Sequence, residues 1–372
     1  MARHLAIVVP SAPQARKPRP RWQSELSASI TSVEELSRVF RLSEEERRGA
    51  ERAAQAGLPM RITRYYARLA DPEDPTCPIR KQCVPSSREE VVDPSDLEDP
   101  LGEVANEVAP NLVQRYPDRA LLLVTDQCAL YCRFCTRSRM VGDGKGPVPD
   151  RSLEAAFDYL KNHREVRDVI VSGGDPLSMA TARLVRIFER LRAIPSIETI
   201  RLATRVPVTM PSRITKELVT ALKPFHPIWV MTHFNHPKEL TAEARRGLLR
   251  LVDAGFPVMN QTVLMRGIND SAEVLAELFR GLVRTRVRPY YLLQMDPVVG
   301  TSHLRTPLHV GVAIMKELQG RVTGIALPKY IVDTPGGFGK VPHGPNYVVA
   351  EGPGWTSFRT HRSDAVTYVD PT

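Results

Sequence analysis

The chain has 372 residues, of which 42% are hydrophobic and 25% are charged, and its formal net charge is +9. These values are typical of a globular protein with one large α/β domain or two domains, and no apolar run reaches the roughly 18 residues of a membrane span. The basic residues are spread along the chain, so we expect a solvated basic surface that serves small anionic ligands rather than nucleic acid. The N-terminus lacks the apolar core of a signal peptide, which predicts a cytoplasmic protein.

The first third of the chain reads as an extension rather than a core. Residues 1–24 are rich in proline and arginine and are predicted to be loosely ordered. Residues 25–118 are predicted to form a helical extension followed by a linking arm rich in proline and acidic residues. Ser32 and Ser43 each precede glutamates and an amphipathic stretch, so we expect both to cap helices.

From residue 119 onward, short apolar runs alternate with amphipathic helical stretches. This repeat predicts a parallel sheet with right-handed crossovers, and six strands predict a partial barrel over residues 119–298. The expected strands are 120–125, 168–172, 199–203, 228–234, 257–264 and 287–294. Ligands should gather on the loops that follow these strands. Residues 299–372 are predicted to form a C-terminal segment with a helix and a Gly/Pro-rich stretch.

Three of the five cysteines fall within eight residues directly after the first predicted strand, as Cys128, Cys132 and Cys135. Thiolates are soft ligands, and a loop with this spacing can wrap one iron–sulfur cluster and leave one of its four irons open. The alternatives are a zinc site, which needs a fourth ligand nearby, or buried thiols. We expect a 4Fe–4S cluster, whose open iron could chelate a small ligand.

Two glycine-rich turns accompany the cysteine loop. Ser172, Gly173, Gly174 and Asp175 follow the second predicted strand, where glycines allow the backbone to approach a ligand closely. Lys340 ends a second turn, DTPGGFGK at 333–340, which departs from a phosphate-binding P-loop. A lysine presented in this way is a candidate to bind pyridoxal phosphate as a Schiff base, with a surface lysine as the alternative.

Further polar residues flank the predicted strands. Arg115 and Arg119 precede the first strand and could pair with a phosphate, or be ordinary surface arginines. Arg137 lies just past the cysteines, where a substrate carboxylate could be held. His233 and His236 end the fourth strand, and we expect active-site hydrogen bonds from them rather than a two-histidine metal site.

Together these motifs resemble the lysine 2,3-aminomutases, a family of radical S-adenosylmethionine enzymes that also use pyridoxal phosphate. The resemblance runs from about residue 22 to about residue 350. Its carriers are DPEDP at 71–75, RYPDR at 115–119, CALYCRFCTRSR at 128–139, SGGDPL at 172–177, THFNHP at 232–237, RPYYLLQMD at 288–296 and DTPGGFGKVP at 333–342.

The resemblance implies a role for each motif. The cysteines would hold the cluster, and Lys340 would form the internal aldimine with pyridoxal phosphate. Arg137 would bind the substrate carboxylate. Asp296 and Asp333 would bind the ε-ammonium, because a buried cation needs compensating charge. Arg115 and Arg119 would bind the pyridoxal phosphate, and Ser172, Gly173, Gly174 and Asp175 would bind S-adenosylmethionine. His233 and Gln261 would be further cofactor-binding residues.

The implied reaction is the interconversion of L-lysine and L-β-lysine. A 5′-deoxyadenosyl radical would remove a hydrogen from C3, the amino group would migrate from C2 to C3 on pyridoxal phosphate, and the hydrogen would return. The resemblance also implies an external electron donor such as a flavodoxin or ferredoxin, and a homo-oligomer.

The sequence departs from the family at several positions. Clostridial members bind a structural zinc through C-terminal cysteines and one more cysteine in the loop after strand five. This chain ends in YVDPT and has Ser271 in that loop, so we expect no structural zinc. Ser138, Leu293 and Phe338 also replace residues that are common in the family, and they leave the identity of the substrate open.

Three alternatives to lysine rearrangement remain at this point. Another aminomutase could act on arginine, which suits two acidic residues, or less readily on glutamate, whose carboxylate they would repel. A relative that modifies a lysine of a translation factor has a different continuation of the cysteine loop. An iron–sulfur protein without catalysis would leave Lys340 unexplained.

Overall fold

The computed structural model describes residues 20–55, 58–142 and 144–371. The prediction that residues 1–24 are loosely ordered therefore falls largely outside the described residues. The helices of the described part are α1 (Arg21–Ser27), α2 (Val33–Ser37), α3 (Glu44–Gln55), α4 (Arg64–Ala67), α5 (Glu154–Asn162), α6 (Thr181–Arg192), α7 (Val206–Thr209), α8 (Lys216–Leu222), α9 (Ala242–Asp253), α10 (Ala272–Arg284) and α11 (Leu308–Leu318). The strands are β1 (Glu107–Ala109), β2 (Leu112–Tyr116), β3 (Arg119–Leu123), β4 (Asp168–Ser172), β5 (Thr199–Ala203), β6 (Ile228–Thr232), β7 (Val258–Leu264), β8 (Arg288–Gln294), β9 (Lys329–Thr334), β10 (Gly339–Pro342), β11 (Val348–Gly352), β12 (Trp355–Arg359) and β13 (Ala365–Val369).

One sheet carries the strands β1 to β10 side by side in chain order. The strands β3 to β9 run parallel, while β1, β2 and β10 pair antiparallel at the two edges. The six predicted strands correspond to β3 to β8 and are neighbours as expected. A seventh parallel strand, β9, extends the predicted set, so its end meets theirs at the same edge of the sheet.

The core lies between the sheet and the helices that cross over it. Alternate residues of the parallel strands face these helices, and Val169, Val171, Ile200 and Val230 are fully buried there. Branched side chains at such positions stabilise a sheet that is covered on its outer face. The carboxyl ends of the strands are left to the loops that follow them.

The helical extension begins as the sequence predicts. Ser32 accepts a hydrogen bond from the backbone of Glu35 and caps α2, and Ser43 accepts one from the backbone of Glu46 in α3. A buried ion pair between Arg80 and Glu46, with N–O distances of 2.6 and 2.7 Å, ties the extension together. Sheet hydrogen bonding continues past residues 118 and 298, so the domain boundaries stay predictions.

The turn after β4 lies directly against the loop after β3. The backbone of Gly174 donates to the carbonyl of Thr125, and that of Asp175 donates to the carbonyl of Gln127 at 2.7 Å. Gly173 has φ of +122°, and a Cβ there would lie 2.3 Å from the Thr125 oxygen. Glycine is thus required by backbone packing between the two loops, in addition to any approach of a ligand.

This packing predicts that Gly173→Ala destabilises the protein by about 2–4 kcal/mol, because the methyl group would overlap the Thr125 carbonyl in a left-handed conformation. Chemical denaturation monitored by circular dichroism measures the change. Gly324→Ala is the matched control, since a Cβ there meets no atom within 4 Å. Equal unfolding free energies for the two variants would contradict this account of Gly173.

Candidate active site

The three cysteines lie in the loop between β3 and α5, and all are free thiols. Burial raises the pKa of Cys128 well above its usual value and that of Cys135 to about 11. Metal binding would reverse this, since a coordinated thiol is deprotonated. Among the described residues, no three His, Cys, Asp or Glu converge on one ion. A cubane does not need that convergence, because each thiolate binds its own iron.

The cysteine loop is anchored by the helical extension. The backbone of Tyr131 donates to the carbonyl of Arg61 at 3.0 Å, and that of Arg133 donates to the carbonyl of Gln82 at 3.1 Å. The Arg133 side chain pairs with Glu89 and is nearly buried. Thus two segments of the helical extension, around Arg61 and Gln82, hold the backbone of the loop between the cysteines.

Asp175 is fully engaged with protein groups. Its Oδ1 accepts from Thr204 at 2.7 Å and from the backbone of Leu177 at 3.0 Å, and its Oδ2 accepts from the backbones of Arg205 and Val206. These bonds join the turn after β4 to the loop after β5. The carboxylate therefore holds two loops in place beside the cysteines.

His233 lies just beyond β6 with its Nε2 buried and without a hydrogen-bond partner in the described part of the chain. Burial, helped by the charge of Arg205, lowers its pKa to about 3, so the imidazole is neutral. Its ring meets the edge of Phe134, with centroids 5.6 Å apart. An orphaned buried nitrogen is costly, and a bound ligand would supply its partner.

His236 does not share that position. Its Nδ1 accepts from the backbone of Lys238 and caps the turn before α9. Nδ1 of His236 is thus used within its own turn, whereas Nε2 of His233 has no partner in the described part of the chain. Gln261 lies half-buried in β7, opposite Tyr291 of β8.

Lys340 lies on β10 directly opposite Asp333 of β9. Its ammonium group pairs with the Asp333 carboxylate, which also accepts from Arg115 at 2.6 Å. The backbone of Lys340 donates to the hydroxyl of Tyr116 at 2.8 Å. The hairpin between β9 and β10 thus presents the lysine at the end of the parallel sheet, with Phe338 at its tip and 88% exposed.

Arg115 and Arg119 flank Tyr116 at the turn from β2 to β3. The guanidinium of Arg119 lies 3.7 Å from the centroid of the tyrosine ring and pairs with Asp118 at 3.0 Å. The Nε of Arg115 is buried and has no partner within the described residues. This free donor, close to Lys340 through Asp333, is the kind of group that a phosphate would satisfy.

Asp296 and Asp333 share one cavity of about 410 Å³, which follows the ends of β8 and β9. Burial, together with the nearby charge of Asp333, raises the pKa of Asp296 to about 7, although Lys340 and Arg115 act in the opposite direction. The two carboxylates are therefore close enough to interact. A cation that entered this cavity would relieve their repulsion.

Arg137 forms a bidentate ion pair with Glu103, at N–O distances between 2.7 and 3.0 Å. Its Nη1 also donates to Ser172 Oγ at 3.3 Å and to the Gly173 carbonyl at 3.4 Å. Burial acts to raise the pKa of Glu103, but the charges and hydrogen bonds of Arg137 and Arg139 together outweigh it, so the pKa falls below its usual value. These two hydrogen bonds place Nη1 of Arg137 next to the turn after β4.

Sequence reasoning missed two residues of this region, Glu103 and Arg205. Glu103 lies in the acidic linking arm, where nothing local distinguishes it from its neighbours. Arg205 follows β5 at the sheet edge where ligands gather, and this position could have drawn attention to it. Its Nη1 lies 2.8 Å from the Sγ of Cys132.

Ser271, which stands where clostridial members have a cysteine, accepts a hydrogen bond from the backbone of Val274 and caps α10.

Within the described part of the chain, every helix is too short or too polar to span a membrane.

Comparison with known proteins matches two family models. Residues 122–279 match the radical SAM superfamily, and residues 315–372 match a model described as lysine-2,3-aminomutase. The L-lysine 2,3-aminomutase of Acetoanaerobium sticklandii is 46% identical over 94% of this chain and 84% of its own length. That of Clostridium subterminale is 44% identical over the same shares. A glutamate 2,3-aminomutase of Clostridioides difficile is 39% identical over 94% of this chain and 82% of its own.

These matches span nearly the whole chain and most of each relative, and they agree with the parallel sheet and with the cysteine loop after its first parallel strand. The chain belongs to the lysine 2,3-aminomutase family of radical SAM enzymes.

Proposed function

We propose that the chain interconverts L-lysine and L-β-lysine by a 2,3-migration of the amino group. The observation that carries this proposal is the pair of carboxylates, Asp296 and Asp333, which line one cavity beside Lys340. Asp333 is buried and Asp296 is half-buried, and two carboxylates that face one cavity repel each other unless a cation lies between them. The ε-ammonium of lysine is such a cation, and relatives named L-lysine 2,3-aminomutase support the same substrate.

Cys128, Cys132 and Cys135 would hold the 4Fe–4S cluster, and Lys340 would bind pyridoxal phosphate covalently. When bound, the cluster and S-adenosylmethionine supply a 5′-deoxyadenosyl radical, and pyridoxal phosphate stabilises the unpaired electron during migration. The protein then has to bind, orient and enclose the substrate.

Around S-adenosylmethionine, Ser172, Gly173 and Gly174 would offer backbone and hydroxyl groups at the turn beside the cysteines. His233 would offer its unpartnered Nε2 and Gln261 its amide. Asp175 would act differently, because four protein donors already occupy its oxygens. We assign it the positioning of the turn rather than direct contact.

Arg115 and Arg119 would hold the phosphate of pyridoxal phosphate. Asp333 neutralises both Lys340 and Arg115 in the structure. Once Lys340 is bound to the cofactor and Arg115 to its phosphate, Asp333 would be free to join Asp296 in binding the substrate ammonium. Asp333 would thus first neutralise two cations of the protein and then bind the substrate ammonium.

Arg137 would bind the substrate carboxylate at the opposite end of lysine. Glu103 would orient it through the bidentate pair, and the Nη1 that reaches Ser172 would turn toward the substrate. A carboxylate at one end and an ammonium at the other would fix both the length and the direction of the substrate.

Arginine is the second candidate substrate, because a guanidinium also suits two carboxylates. Glutamate is disfavoured by the same two acids, whatever the likeness to a glutamate enzyme. The chain would receive its electron from a flavodoxin or ferredoxin.

We propose that the protein acts in the cytoplasm, because its five free thiols suit a reducing compartment.

We also propose a homo-oligomer. The strands β11 to β13 form a separate three-stranded sheet on which Val348, Phe358, Val366 and Tyr368 are all exposed. Phe358 pairs with Val348 on one side and with Val366 on the other, so they lie on one face. A thin sheet needs a covered apolar face, and a second copy would cover it.

The function is tested by anaerobic reconstitution with iron, sulfide, S-adenosylmethionine, pyridoxal phosphate and a reductant. L-Lysine, L-arginine and L-glutamate are supplied separately, and chromatography detects the β-amino acids. We expect β-lysine to form at least tenfold faster than either other product. A chain that holds the cluster and both cofactors but makes no β-lysine would refute the proposal.

Lys340→Ala should abolish the visible absorbance that pyridoxal phosphate acquires on a lysine, because no other amine would replace it. Iron content should stay at the wild-type level, since the cysteines are untouched. Lys329→Ala, on the partner strand β9 and exposed, is the matched control. Absorbance retained in Lys340→Ala would remove this lysine from its role.

The raised pKa of Asp296 predicts how lysine binding depends on pH. Below about pH 7 this carboxyl binds a proton and loses its attraction for the ammonium, which stays charged up to about pH 10. The KM for lysine should therefore be about tenfold higher at pH 6 than at pH 8. Asp296→Asn should raise the KM at pH 8 and flatten this dependence. The same slope in both proteins would count against Asp296 as the titrating group.

A further inference from the structure

We propose that Arg205 is a positioning residue that donates a hydrogen bond to the cluster ligand Cys132 and raises the reduction potential of the cluster. The inference rests on the proposed binding of a 4Fe–4S cluster by the three cysteines. Arg205 lies in the loop after β5, just before α7, and is only 8% exposed. Its Nη1 lies 2.8 Å from the Sγ of Cys132.

The guanidinium is held from several sides at once. Its Nη2 donates to Gln82 Oε1 at 2.6 Å and to Glu239 Oε1 at 2.9 Å, and its Nε donates to the carbonyl of His233 at 3.3 Å. The backbone of Arg205 donates to Asp175 at 2.7 Å. Neither the chain nor the side chain can therefore move freely away from the cysteine.

Aromatic rings complete this enclosure. The guanidinium carbon lies 5.6 Å from the ring centroid of Tyr66 and 5.1 Å from that of Phe134. Such rings exclude water and attract a cation. The hydrogen bond to Cys132 therefore lies in a medium of low dielectric, where it is stronger than in water.

Glu239 is fully buried and keeps the cation paired. Besides Arg205, its oxygens accept from the Tyr66 hydroxyl at 2.7 Å and from the backbones of Asn235 and His236 at 2.6 and 3.1 Å. Both oxygens of Glu239 thus accept hydrogen bonds from groups other than Cys132. The remaining Nη1 of the arginine is left for the sulfur.

This geometry has a direct electrochemical consequence. An external one-electron donor gives one electron to the cluster, and no bond of the protein forms or breaks. The added negative charge spreads onto the cysteine sulfurs, so a cationic donor at one of them stabilises the reduced state more than the oxidised state. Arg205 therefore makes the cluster easier to reduce, and Glu239 partly offsets its charge.

The test is the midpoint potential of the reconstituted cluster, measured by spectroelectrochemical titration without S-adenosylmethionine. Arg205→Met with Glu239→Gln removes both members of the buried pair, which avoids leaving one charge unpaired. We expect its equilibrium constant for one-electron reduction to fall at least tenfold, a negative shift of about 59 mV. Glu239→Gln alone should shift the midpoint in the opposite direction, because the arginine loses its counter-charge.

The matched control is Arg80→Met with Glu46→Gln, a buried arginine–glutamate pair of the helical extension whose arginine bonds to backbone carbonyls. A purely structural role for Arg205 would change stability alone and leave the midpoint as in this control. Such a result, or shifts of the same sign in both Glu239 variants, overturns the proposal. Should the double variant lose its iron, a rise in the midpoint of Glu239→Gln supports the proposal and an unchanged one overturns it.

Discussion

The site depends on parallel pairing that continues through seven neighbouring strands. Parallel strands bring their carboxyl ends to one edge, so residues that are about 200 positions apart in the sequence come to the same edge. The cysteine loop follows β3, Asp296 follows β8, and Asp333 belongs to the end of β9. The seventh strand is the decisive addition, because its hairpin with β10 returns Lys340 to the same edge. A sheet that ended at β8 would carry the cysteine loop without the lysine.

Charge at this edge is organised in internal ion pairs. Arg137 is paired with Glu103, Lys340 with Asp333, and Arg205 with Glu239. Each pair offsets the desolvation of its arginine or lysine. The pairs differ in what a ligand would do to them: the lysine and its aspartate would separate, whereas Arg205 and Glu239 would stay together. Exposure agrees with this difference, since the side chain of Lys340 is 32% exposed and that of Glu239 is fully buried.

Local sequence patterns were sufficient for much of the fold. The alternation of apolar runs and amphipathic stretches predicts β3 to β8 with ends shifted by no more than two residues, and Ser32 and Ser43 cap helices as expected. The strand β9 was missed because only its centre, with Tyr330 and Ile331, is fully buried and apolar. The C-terminal sheet was missed because its residues are nearly all exposed, which leaves no clear alternation of apolar and polar positions.

The candidate site residues follow the same rule, because local sequence signals predict some of them and long-range contacts leave no signal for the others. Cysteine spacing and glycine-rich turns are local signals, and they led to Cys128, Gly173 and Lys340. Partners supplied by distant segments leave no such signal, so Glu103 and the surroundings of Arg205 had to come from the structure. Asp175 shows what a sequence motif does not predict. It lies in the turn after β4 as expected, but its oxygens accept hydrogen bonds from the protein itself.

The helical extension contacts both the cysteine loop and Arg205. Gln82 accepts from the backbone of Arg133 in the cysteine loop and from the side chain of Arg205, and Tyr66 donates to Glu239. The extension therefore forms one wall around Cys132 rather than an appendage to the sheet. Because it holds both the cysteine loop and the arginine beside it, the surroundings of the proposed cluster site are set by a part of the chain that carries none of the three cysteines.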